Sequence, residues 1–132
     1  MEPLVTIEHA GDVALIGLNR PGKRNAISDA LLAGLEQRVA EAQGRARAMV
    51  VFGHGPCFSA GLDLAEHKAR TAEEVFWHSR GWHRVFRGIR EGRVPAIAAI
   101  HGACVGGGLE LAAACHIRVA APDAFFALPE GT

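Results

Sequence analysis

The sequence predicts an α/β fold in which strands and helices alternate after an opening hairpin. Three observations carry this. Short β-branched or apolar runs recur between segments whose apolar residues repeat at helical spacing. One run, "VPAIAAIHG", is almost continuously apolar, as strands inside a sheet with helical crossovers are. Turn-forming clusters then separate nearly every pair of elements. Alternation of this kind points to a parallel sheet with right-handed crossovers.

The elements follow in order. "LVTIEHAGDVALIGL" reads as two strands around Ala10-Gly11-Asp12, with the glycine at the turn. "NRPGKRNAIS" is a loop. Ser28 or Asp29 then caps a helix, "ALLAGLEQRVAEAQ", in which Leu31, Leu32, Leu35 and Val39 share one face. "RAMVVFG" is a short buried strand, and "HGPCFSAGLDL" is a glycine-containing loop that approaches something closely. Thr71 and Glu74 form a capping box for a helix that runs to Glu91. Its apolar face is Val75, Phe76, Ser79, Trp82, His83, Phe86 and Ile89. After "VPAIAAIHG", expected to be buried on both faces, come a glycine run and a helix from about Gly107 to Cys115. The strand "HIRVAA" follows, and "DAFFALPEGT" makes a last strand and turn. The final apolar strand has nothing after it to cover it, so the chain reads as cut short.

Composition narrows the function. The 132 residues suit one domain, and 49% apolar with 21% charged residues allows a packed core. Fourteen basic residues balance fourteen acidic ones, and no basic face suggests nucleic acid as a partner. The three cysteines show no CxxC spacing, and no HExxH occurs. No disulfide frame and no metal site are therefore expected. The first residues lack a signal-peptide pattern, and no apolar run approaches the ~20 residues that cross a bilayer. The expectation is a protein of the cytoplasm with no membrane partner.

The stretch "GACVGGGLELAAAC" asks for a chemical reading. Glycines at a helix start let backbone N–H groups approach a ligand with no Cβ in the way. The helix dipole adds positive potential there, so an oxygen gaining negative charge is a suitable guest. Phosphate fits poorly. A P-loop counted from Gly102 has Gly108 and Leu109 where Lys and Ser/Thr belong, and the dinucleotide pattern fails in "GACVGG" and "GHGPCF". "CFSAG" approaches a nucleophile elbow around Ser59, but Cys57 replaces the first glycine and no helix follows directly. Close packing of helix on strand would also explain the glycines. Glu110 is harder to explain that way, because it stands one turn into a helix of "LAAAC" type, where an unpaired carboxylate is costly. It reads either as a helix-start acid suited to the dipole or as a carboxylate in a dry pocket for proton transfer.

Three segments, "NRPGKRNAIS", "FSAGLDL" and "IAAIHGACVGGGLELAAACHIRVAAPDAFFALPEG", resemble the crotonase (enoyl-CoA hydratase/isomerase) family. The resemblance covers most of the chain from Asn19 to Gly131. It implies a crotonase-like spiral of ββα units, of which residues 1–132 would be the N-terminal part, since family members are roughly twice as long. It implies an oxyanion hole for an acyl-CoA thioester made by the N–H groups of Leu62 and Gly107. It also implies two proton-handling glutamates, Glu110 from "GGGLE" and Glu130 from "LPEG". Two carboxyl groups in one low-dielectric pocket do not both ionise freely, so one can give a proton while the other takes one. Both being present favours hydration of a 2-enoyl-CoA. Enoyl isomerisation, thioester hydrolysis and acyl-CoA binding without chemistry are the alternatives. The coenzyme A contacts implied are Arg24, Asn25, Ala26, Ala60, Leu62, Asp63, Leu64, Ala65 and Gly107, with Arg24 nearest in character to a phosphate partner. Coenzyme A belongs to the substrate, so no separate cofactor is expected. The resemblance further implies a homo-oligomer, a trimer or a dimer of trimers. Leu62 is bulkier than expected at its position, and its side chain would narrow the acyl channel.

Overall fold

A computed structural model of the chain describes residues 2–128. It contains, in order, β1 (Val5–Ala10), β2 (Val13–Leu18), α1 (Asp29–Arg45), β3 (Ala48–Gly53), α2 (Leu64–Lys68), α3 (Ala72–Arg90), β4 (Ala96–Ile100), β5 (Ala103–Val105), α4 (Gly107–Ala114), β6 (Ile117–Ala120) and β7 (Phe125–Ala127). A five-stranded sheet runs β1-β2-β3-β4-β6. Only β1 is antiparallel to its neighbour, and β2, β3, β4 and β6 are mutually parallel. A second, two-stranded sheet pairs β5 in parallel with β7.

The hairpin turns at Gly11, which has φ +61°, an angle glycine adopts without a Cβ penalty. Ser28 caps α1 by accepting from the Leu31 N–H at 3.2 Å. The helix then buries Leu31, Leu32, Leu35, Val39 and Ala42 against Ala14, Ile16 and Leu18 of β2 and Met49 and Val51 of β3, within one core. Side chains of this kind stabilise by about 1.5–3 kcal/mol each when fully buried.

Three expectations change. In β4, Ala96, Ala98 and Ile100 are buried while Ile97 and Ala99 are partly open. The strand therefore follows a period of two, with one face fully covered among the described residues. In α3 the capping box is present, but the buried stripe is Trp82, Val85, Phe86 and Ile89. Phe76 and Ser79 are exposed in the first half of this helix, which extends beyond the core, and His83 is exposed on the outer face of the second half. Finally, α2 and β5 arise in segments for which no helix or strand was expected. They are five and three residues long, too short for any periodicity to register.

Candidate active site

The site is assembled by two loops and one helix start. The first loop, after β2, makes a 3-10 turn at Pro21–Lys23 and then holds Arg24 and Asn25 in the left-handed region, at φ 52° and 56°. Two consecutive residues there are strained, and Asn25 supplies the compensation. Its side chain is fully buried. Its Nδ2 donates to the carbonyls of His54, Cys57 and Phe58 at 3.0, 3.0 and 3.1 Å, and its Oδ1 accepts from the Arg20 N–H at 2.8 Å. The Asn25 side chain is thus spent as a brace inside the protein.

The second loop, residues 58–63, has its peptide N–H groups fixed almost one by one. Phe58 donates to His101 O, Ser59 to Ala103 O, Ala60 to Arg24 O and Asp63 to Ile27 O, over 2.8–3.2 Å. Gly61 donates to the Ser59 hydroxyl at 3.1 Å. Among the described residues, Leu62 is the exception, and its N–H meets no protein oxygen. The adjacent Gly61 carbonyl accepts from the Ile27 N–H at 2.7 Å, which fixes the peptide plane that carries this free donor.

The third part is α4. Gly106 is its N-cap, at φ 54°, and no side chain caps the helix. The first-turn N–H of Gly107 therefore has no acceptor among the described residues, as helix starts without a cap require. A Cβ placed on Gly107 would lie 3.5 Å from Leu62 N and would collide with the Trp82 indole. Two unpaired backbone donors thus stand side by side, one aided by a helix dipole. Such a pair suits an oxygen on which negative charge develops.

Glu110 lies on the first turn of the same helix, and Trp82 Nε1 donates to its Oε2 at 3.4 Å. The dry pocket expected for Glu110 is not what the described residues form. The side chain is exposed, at one end of an open groove of 410 Å³ that His83, Phe86, Arg87, Arg90, Ala113 and Ala114 line with it. Glu130 lies outside the described residues.

The remaining expected contacts divide. Arg24 is exposed, Ala26 and Ala60 are partly exposed, and Leu64 and Ala65 open α2 on the surface. The Asp63 carboxylate is already engaged. It caps α2 through the Glu66 N–H at 3.1 Å and pairs with Arg20 Nη1 at 2.7 Å. The Arg20 hydrogen bond, with that cap, holds Asp63 below the usual carboxylate range. Sequence reasoning missed Arg20 and Trp82. Nothing marked Arg20 among the arginines of its loop, and Trp82 read only as part of an apolar stripe.

Other chemistries find little support. Ser59 is fully buried and gives its hydroxyl proton to Asn25 O at 2.9 Å. Burial pushes the Cys104 thiol up to about 11 and Cys115 up to about 12, so neither is a thiolate at neutral pH. Among the described residues, no group of three or more His, Cys, Asp or Glu could hold a metal. No helix among them is long and apolar enough to cross a membrane.

Comparison with known proteins shows the family. The sequence profile of the enoyl-CoA hydratase/isomerase family matches residues 8–132. A Bacillus subtilis protein named "Probable enoyl-CoA hydratase" is 41% identical over 122 residues, covering 89% of this chain and 46% of that protein. Mouse mitochondrial Delta(3,5)-Delta(2,4)-dienoyl-CoA isomerase is 36% identical over 129 residues, covering 87% of this chain and 39% of the isomerase. The crystal structure of an enoyl-CoA hydratase from Thermoplasma volcanium superposes with a TM-score of 0.94 at 37% identity, covering 98% of this chain and 53% of that one. The chain spans about half the length of these relatives or less.

Proposed function

The chain belongs to the enoyl-CoA hydratase/isomerase family, and from that premise we propose that the protein adds water across the 2,3 double bond of a 2-enoyl-CoA. The thioester oxygen sits against the N–H groups of Leu62 and Gly107. As the hydroxyl of water adds to C3, electrons move through C2 to that oxygen, and the resulting enolate is stabilised where the two donors meet. One glutamate takes the proton that water loses, and the other delivers a proton to C2 as the enolate collapses. Glu110 and Glu130 fill these two roles. No further cofactor is needed, because coenzyme A arrives with the substrate.

The observation that carries this reading is the lone unpaired N–H at Leu62 in an otherwise fully bonded run, placed beside an uncapped helix start. Glu110, within one turn of that helix start, supports it. The test is turnover of crotonyl-CoA by the full-length protein and by Glu110→Gln and Glu130→Gln. Each substitution should lower kcat by about a hundredfold or more, in the range usual for losing a general acid or base, while acyl-CoA still binds. Near-normal turnover in either variant would sink the proposal.

A second reading has a specific observation behind it, the dienoyl-CoA isomerase relative. In that reading the same N–H pair holds the enolate and one glutamate moves a proton between carbons. Product analysis separates the two. Hydration yields a 3-hydroxyacyl-CoA and isomerisation yields a displaced double bond with no gain of water.

A further inference from the structure

Glu110 presents a mechanical problem. It is an exposed glutamate with several rotatable bonds, and a proton-transfer group must be held in place. Among the described residues one side chain hydrogen-bonds its carboxylate, Trp82 through its indole N–H, 3.4 Å from Oε2. Trp82 itself is rigidly placed. It is buried, and its ring meets Phe86 edge-on at a centroid distance of 5.0 Å and His78 at 5.4 Å. The ring also fills the space that a Cβ on Gly107 would need, next to Leu62 N. One side chain therefore touches the carboxylate and walls the N–H pair at the same time.

We propose that Trp82 is a positioning residue, its indole N–H holding one oxygen of the Glu110 carboxylate so that the other is turned to the atoms bound at the Leu62 and Gly107 N–H groups. This rests on the reading of Glu110 as a proton-transfer group. Oε1 has no partner among the described residues, which leaves it available for that task. Among the described residues the indole gives the only direct hydrogen bond, while His83, Arg87 and Arg90 line the groove with it. Trp82 touches no reacting atom in this scheme. It acts through Glu110, and its loss should appear in the chemical step rather than in substrate binding.

The test is made on the full-length protein with Trp82 replaced by β-(3-benzothienyl)alanine, which keeps a ring of nearly the same shape and removes the N–H. Trp82→Phe and Glu110→Gln are measured alongside. The benzothienyl variant should keep its melting temperature and a KM within about twofold, and lose about tenfold in kcat, as expected for one hydrogen bond to a charged group. Trp82→Phe should lose at least as much kcat. Unchanged kcat in the benzothienyl variant, with Glu110→Gln inactive, would overturn the inference and leave Trp82 as packing alone. A loss in KM or melting temperature equal to the loss in kcat would overturn it too. If Glu110→Gln turns over normally, the reading of Glu110 has failed, and the role of Trp82 falls with it.

Discussion

At the scale of residues, the site depends on positions where one atom decides the outcome. Gly107 is the clearest. A methyl group there would drive into the Trp82 ring, displacing both the indole and the N–H beside it. Gly107→Ala should therefore lower kcat/KM by about a hundredfold or more, of the order lost with an oxyanion donor, and a steady-state assay checks this. Asn25 is decisive for stability instead. Asn25→Ala would leave three carbonyls without their shared donor in a position where that donor is fully buried. Thermal or denaturant unfolding should show a loss of about 2–4 kcal/mol, since each buried group left unpaired costs about 1–3 kcal/mol. The residue type at 107 was legible because a triple glycine before a helix invites a backbone donor. The brace at Asn25 was not. A loop asparagine looks the same whether it faces ligand or core, and only the fold brings the 54–58 carbonyls to it.

Elements of three turns or more were legible for a physical reason. In α1 the cap at Ser28 and the repeat of Leu31, Leu35 and Val39 are written locally, as is the Thr71–Glu74 capping box of α3. What escaped depends on contacts between distant segments. The strand β5 exists because Ala103–Val105 pairs with Phe125–Ala127, and the exposed half of α3 reflects where the core ends. The clasp between the two site loops is of the same kind, with Arg20 on one and Asp63 on the other. Its pH dependence follows from the depressed Asp63 pKa. The folded protein binds that proton more weakly than the unfolded chain, whose aspartates titrate near 3.9. The clasp's contribution is thus fully present above about pH 4 and is lost as pH falls through the lower folded value. Asp63→Asn should flatten the acid-side fall in melting temperature, and melts at several acidic pH values would show it.

At the scale of the whole molecule, the edge of the fold is apolar. Ile117 and Val119 on β6, and Phe125 and Phe126 on β7, are 49–59% exposed. Exposed large apolar side chains of this sort favour association. Residues 1–132 expressed alone should self-associate, and charged substitutions at Val119 and Phe126 should reduce this in light scattering. The alternation of strands and helices, with the order of the motifs, made the family legible. The sheet order and the exposed setting of Glu110 were not, because both depend on what packs against what. In the proposed reaction a backbone N–H pair and two glutamates hydrate an enoyl thioester. The most direct measurement follows the conjugated enoyl-thioester absorbance of crotonyl-CoA with the full-length protein, beside Glu130→Gln. The expected result is rapid loss of absorbance that the substitution abolishes, with 3-hydroxybutyryl-CoA as product. Bound crotonyl-CoA whose absorbance does not fall, or loss undiminished in the variant, would contradict it.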